Sequence, residues 1–218
     1  MSKHYIQKIT CPKCKKEADF TVWSSINTIL DPDMKEKVKT REAFAFCCPA
    51  CGNKTNVDHD CLYHQMEDEM MIYYASSQEE TEKVYNMFRG NGKMAEMLGK
   101  VQSKYLYRIV QSQNELREKI FIFDAGLDDR VIEFAKALMA GKYLGENPNV
   151  KLNEIRFQPG EQMLLVFINN GKPVASSTID REFYELISEE FIAGRPELRD
   201  DDIIINLDWA FQCMKEKR

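Results

Sequence analysis

Two Cys-Pro-x-Cys runs, Cys11-Pro12-Lys13-Cys14 and Cys48-Pro49-Ala50-Cys51, constrain this chain more than anything else in it. A Cys-x-x-Cys turn aims two sulfurs at one point, and two such turns supply four thiolates, the ligand set of a closed tetrahedral metal site. One pair alone would be a weak signal; a matched pair predicts that the chain returns so that the turns meet. The 33 residues between them leave room for an inserted helix. The donor set points to zinc as the cofactor, with Cys11, Cys14, Cys48 and Cys51 as ligands. Sulfur fills all four positions, so no place is left for a reactive water and the site reads as structural. An N-terminal region of roughly 75 residues has a thin core and gains from such a staple.

Competing thiol chemistry is weaker. A lone Cys-x-x-Cys beside a βαβ unit suggests redox work, but the segments around Cys11 and Cys48 do not read as βαβ. Cys47 precedes Cys48 on a strand-like segment, so it is expected to point to the opposite face and pack in the core. His59, Cys61 and His64 form a short cluster with Asp58, Asp60, Glu67 and Asp68 beside them. A second metal site is imaginable there; a solvated loop joining two strands is the favoured reading. His4 is expected to be exposed.

Charge excludes little and directs little. The net charge is -5, which does not draw in nucleic acid or an anionic membrane. Residues 1–60 carry 10 Lys/Arg against 8 Asp/Glu, so this part is only mildly basic. The start, Met-Ser-Lys-His-Tyr-Ile, has no apolar targeting segment, and the longest strongly apolar run, Met163–Ile168, is too short to span a membrane. Seven cysteines without an export signal fit a reducing compartment, so the expected location is the cytoplasm.

Periodicity predicts three parts. In residues 1–75, strands are expected at 5–10, Ala18–Trp23, Lys54–His59 and Met70–Tyr74, the last closing a small antiparallel sheet. Asp31-Pro32 marks a helix start, with Asp31 as cap and a short Lys-rich helix from Met34 to Thr40. Residues 76–145 read as helical: a start at Ser76–Glu80, a stop at Asn91-Gly92, a further segment over Met94–Val101, then Ser112–Phe123. Gly126 ends that last helix, and Asp128 or Asp129 opens the next. Residues 146–218 mix strands and helices. Strands are expected at Lys151–Phe157, Met163–Ile168 and Pro173–Ile179, with a hairpin turn at Asn170-Gly171. Asp180 caps a helix ended by Gly194 and Pro196. Ile203–Ile205 is expected as a strand and Leu207–Met214 as a helix. The fold class is α+β: an N-terminal zinc-ribbon-like antiparallel sheet, then helices, then a C-terminal mixed α/β unit.

No nucleophile elbow, P-loop or dinucleotide-binding glycine motif is present. Asp124, Asp128, Asp129 and Arg130 crowd one turn, where they could bind a cation or simply cap two helices. Tyr105, Tyr107, Phe121 and Phe123 read as core.

The segments Ile9–Cys14, Trp23–Asn27, Phe46–Gly52, Leu62–Glu67 and Met71–Tyr74 together resemble the CpXC family of bacterial proteins, named for the doubled Cys-Pro-x-Cys. The likeness continues through Tyr107–Val110, Asn114–Leu116 and Phe123–Arg130. It implies zinc held by the four cysteines and assigns no activity. One departure is Lys15, which stands where many knuckles carry glycine; it is expected to weaken the N–H···S geometry on that side. Because Leu62–Glu67 and Asp124–Arg130 belong to the resemblance, His64, Glu67, Asp124, Asp128, Asp129 and Arg130 are the candidate functional surface.

These readings lead to a cytoplasmic, zinc-stabilised module that binds protein partners. Lys13, Lys15, Lys16 and Lys54 near the knuckles support a nucleic-acid-associated ribbon as the alternative. An enzyme built on His64, Glu67, Asp124 and Asp128 is the third reading.

Overall fold

The computed structural model describes residues 2–89, 105–193 and 202–215. The chain divides into two compact units, Met1–Arg117 and Glu118–Arg218. The expected helix stop at Asn91-Gly92, the segment Met94–Val101, and the helix end at Gly194 and Pro196 lie outside the described residues. Together the described elements make the expected α+β architecture: an N-terminal sheet, helices, then a second sheet and helices.

In the first unit, β1 (Lys3–Thr10) and β2 (Glu17–Asn27) form an antiparallel hairpin around the first knuckle. The helix α1 (Asp33–Lys39) follows, seating Met34 and Val38 inward. Its cap is Pro32 and not the expected Asp31: Pro32 is already in helical conformation and makes no side-chain cap bond. β3 (Ala45–Cys47) pairs with β4 (Lys54–Asn56) around the second knuckle. Next come β5 (Cys61–Gln65) and β6 (Met70–Tyr74), then the helix α2 (Gln78–Arg89) and β7 (Leu106–Val110).

Two expectations about this sheet need correction. It is mixed, with strand order β1-β2-β5-β6-β7, because β2 runs parallel to β5 and β6 parallel to β7. Nor does Met70–Tyr74 close it, since β7 lies outside β6. The segment expected as a solvated loop is the central strand β5, with Cys61, Tyr63 and Gln65 all buried. Its polar groups are matched internally: the Tyr63 hydroxyl donates to Gln65 Oε1 at 2.7 Å, and Gln65 Nε2 donates to Asp68. Nearby, the Tyr74 hydroxyl and Gln113 Nε2 both donate to Asp58, at 2.8 and 2.6 Å. Asp60 accepts from the Ser76 N–H and hydroxyl, each at 2.8 Å.

The second unit is built on α4 (Asp129–Glu146), which follows α3 (Gln113–Asp124), the helix that carries the unit boundary. Ser112 caps α3 by accepting from the Glu115 N–H at 3.1 Å. Gly126, at φ 67°, makes the left-handed step after it, and Asp128 caps α4 by accepting from the Arg130 N–H at 2.8 Å. The strands β8 (Glu154–Gln158), β9 (Met163–Asn169) and β10 (Lys172–Ile179) form an antiparallel sheet in the order β10-β9-β8. Asn170 and Gly171 take φ of 49° and 74°, the pair of positive values that a two-residue hairpin turn requires. Asp180 caps α5 (Arg181–Ile187), which continues as a π-helical stretch, Ser188–Ala193. Residues 203–205 form no strand, although Ile203 and Ile205 are buried; α6 (Leu207–Lys215) follows. Val131, Phe134, Phe157, Leu165, Phe167, Ile179, Ile187 and Ala210 lie in one continuous core.

Inside this apolar unit sits a buried charge network. Lys119 Nζ lies 2.9 Å from Asp129 and 3.1 Å from Glu133, and Lys136 Nζ lies 3.1 Å from Glu133 and 2.6 Å from Glu118. Glu118 also accepts from the Phe157 N–H.

Candidate metal centre

The two knuckles have the same backbone. In the first, the Lys15 N–H donates to the Cys11 carbonyl at 3.0 Å and the Cys11 N–H to the Lys16 carbonyl at 2.9 Å. In the second, the Gly52 N–H donates to the Cys48 carbonyl at 2.8 Å and the Cys48 N–H to the Asn53 carbonyl at 2.9 Å. Each bond set makes the chain double back within six residues, so both sulfurs of a pair face one side. Lys15 accepts the left-handed conformation, φ 61°, that Gly52 takes at 68°. The left-handed turn that glycine favours is therefore formed at Lys15 as well.

Packing brings the knuckles together. Phe20 and Val22 of β2 and Phe46 of β3 form a small core with Cys11 and Cys48, and Phe20 meets Phe46 edge-on at 6.2 Å. The four sulfurs converge: Cys11 to Cys51 and Cys14 to Cys48 are each 3.6 Å apart, and all four lie within 4.8 Å of one another. Bonds of about 2.3 Å at tetrahedral angles would hold sulfurs about 3.8 Å apart. The donor set and its spacing thus fit a metal ion. Local amides already favour a thiolate at Cys11: the N–H groups of Cys14 and Lys13, with help from neighbouring sulfurs, lower its pKa to about 6. At Cys51 the Asn53 N–H also favours the thiolate, but burial and the three other sulfurs outweigh it and push the thiol up to about 12. Four adjacent sulfurs cannot all hold negative charge without a cation between them.

Other thiols and histidines stay apart. Cys47 is exposed, which corrects the expectation that it packs in the core. The alternation held, but the face opposite Cys48 is the open one. Cys61 is shut inside the sheet, where burial pushes its thiol up to about 12. His59 packs against Phe44 at 5.0 Å between ring centres, and burial lowers its pKa despite Asp60 and Asp58. No second group of three or more metal-ligating side chains forms among the described residues. His4 is exposed as expected, with its ring 4.7 Å from that of Trp23.

The candidate surface residues fall into both units. His64 lies on β5, its ring 3.4 Å from the Tyr105 hydroxyl, and burial lowers its pKa. The carboxylate of Glu67 accepts from the buried Thr28 hydroxyl at 2.9 and 2.8 Å. Asp128 pairs with Arg130 at 2.7 Å while capping α4. Asp129 is fully buried against Lys119, so it belongs to the interior and not to a surface. Asp124 ends α3 and is exposed. The sequence reading missed Glu118, Lys119, Glu133 and Lys136. Their signal was available: Glu133 and Lys136 stand inside the apolar run Val131–Ala137, where a charge must find a partner.

No helix among the described residues is long and apolar enough to cross a membrane. No curated protein and no solved structure matches this chain. The sequence profile described as CpXC protein matches residues 9–136, more than half of the 218. The match takes in both knuckles and ends at Lys136, the last member of the buried charge network. The chain belongs to the CpXC family.

Proposed function

We propose that the four thiolates hold one zinc ion as a structural staple, and that the protein is a cytoplasmic module that binds protein partners. The observation that carries the zinc reading is the sulfur cluster, with its 3.6 Å pairs and no oxygen or nitrogen donor among the ligands. A tetrahedral all-sulfur set suits zinc or iron and does not suit magnesium or calcium. Bound zinc supplies cross-linking of the two hairpins, not a reactive position. Glu67, Asp128 and Asp129 are each engaged by protein groups, which disfavours the reading of these carboxylates as an enzyme's acid–base set.

Elemental analysis of the purified full chain tests the metal. The expected result is one zinc per chain and no visible absorption, with metal lost in Cys48→Ser. Stoichiometric iron with visible colour, or full zinc retention in Cys48→Ser, refutes the reading. The exposed Lys13, Lys15, Lys16 and Lys54 around the knuckles favour a nucleic-acid role as the second reading. A gel-shift series over salt decides it: binding that weakens steeply with salt supports that role, and no shift ends it.

A further inference from the structure

Two strand edges in the first unit line one groove and, among the described residues, have no ladder between them. In the β1–β2 hairpin, the Cys11 N–H bonds to Lys16 just beyond the last register pair, Thr10–Glu17. Antiparallel pairs alternate between bonded and non-bonded. The bonded pairs are then Ile9–Ala18, Gln7–Phe20 and Tyr5–Val22, which leaves the N–H and C=O of Asp19, Thr21 and Trp23 turned away from β1. The same reasoning applies to β3. The bonds Cys48 to Asn53 and Val57 to Phe44 bracket the β3–β4 ladder, so Phe46–Thr55 is the bonded pair. Ala45 and Cys47 then turn their backbone groups away from β4.

A groove of about 450 Å³ is lined by Asp19, Thr21 and Trp23 of β2, Ala45 and Cys47 of β3, and Met34 of α1. β2 and β3 belong to different sheets, and their Cα atoms stay more than 8 Å apart almost throughout. Paired strands sit about 4.8 Å apart, so β2 and β3 are too far apart to pair directly with each other. The contact of Phe20 with Phe46 gives the groove an apolar floor.

We propose that this groove is a slot for one extended peptide of a partner protein, which would hydrogen-bond to β2 on one side and β3 on the other. Strand addition of this kind draws affinity from main-chain bonds and selectivity from alternate side chains. The slot's own charged groups are Asp19, Glu42 and Lys37, one negative charge in excess. The fitting segment is therefore apolar to weakly basic, with small residues toward the Phe20–Phe46 floor. This site rests on the interaction role proposed above and gives it a location and a partner chemistry.

The probe is a synthetic peptide selected from a random ten-residue displayed library against the full, metal-loaded chain. Its binding is expected to slow amide hydrogen exchange at Asp19, Thr21, Trp23, Ala45 and Cys47. N-methylation at any central position of the peptide should weaken binding about tenfold, because successive amides bond to opposite edges. Thr21→Pro removes one outward donor without touching the β1 ladder, and should weaken binding about tenfold while zinc content stays whole. Zinc content, measured on each variant, separates failure of the staple from failure of the slot. Sensitivity to N-methylation at alternate positions only means that one edge binds, which overturns the slot. So does enrichment of no peptide, protection elsewhere, or protection of these amides in the free protein by a second copy at dimer-forming concentration.

Discussion

Lys15 and Gly52 hold the same position in the two knuckles, both in the left-handed conformation, at φ 61° and 68°. Only Gly52 takes it without strain, since a side chain there costs about 1–2 kcal/mol. A Cβ added at Gly52 would meet no atom within 4 Å, so sterics of packing play no part. Gly52→Ala should therefore destabilise by about 1 kcal/mol, the strain partly offset by the lower chain entropy of the unfolded state. Lys15→Gly should stabilise slightly, by under about 1 kcal/mol. Urea midpoints of the metal-loaded variants check both; equal effects of one sign would show that the two turns are not equivalent.

Lys119 and Asp129 give the second prediction. Their ion pair is 2.9 Å long and almost wholly buried. Removing one charge strands the other in an apolar interior, so Lys119→Met should cost about 3–5 kcal/mol. Arg130→Ala removes a pair that is partly open to water and should cost about 1 kcal/mol or less. Chemical denaturation of the two variants should separate them clearly. Equal losses would mean that the network's charges are already hydrated.

Features that depend on a few neighbouring residues could be read from the sequence. The cysteine pairs, the caps at Asp128 and Asp180, and the Asn170-Gly171 turn all follow from local chemistry. Features set by distant partners could not. The strand β5 carries Cys61, His64 and Gln65, a polar signature for a segment that lies mid-sheet. Tyr63 and Asp68, which hydrogen-bond to Gln65, help make its burial tolerable. β7 was missed because its partner β6 lies more than 30 residues earlier and runs parallel. At Cys47 the alternation was legible, but which face is covered depends on packing of the whole unit. The groove between β2 and β3 was invisible for the same reason: an unpaired edge is a property of the assembled sheet.

Exposure and thiol acidity predict an order of cysteine reactivity. In the metal-loaded chain the knuckle sulfurs are engaged, Cys213 is buried, and burial holds the Cys61 thiol at about 12. The thiolate is the reactive form, so Cys61 should stay inert at pH 8 while the exposed Cys47 reacts. Iodoacetamide followed by peptide mass mapping should find one adduct, at Cys47. Modification of Cys61 at a similar rate would show that the sheet opens there.

His59 supplies a pH dependence whose sign is fixed by burial. Its ring packs against Phe44 and Phe20, and desolvation lowers its pKa below 6.5, although Asp60 and Asp58 pull the other way. The unfolded chain therefore binds a proton more readily than the folded one as pH drops below 6.5. Stability from the neutral ring is present above that value and is lost as pH falls toward the folded pKa. Histidine NMR titration of the metal-loaded protein should place the His59 transition below 6.5. His59→Phe should remove this part of the fall in stability below that pH, so that its difference from wild type changes as pH drops, measured on metal-loaded samples so that thiolate protonation affects both alike. A His59 transition above 6.5 would mean that the two aspartates outweigh burial, and the pH slope would then reverse.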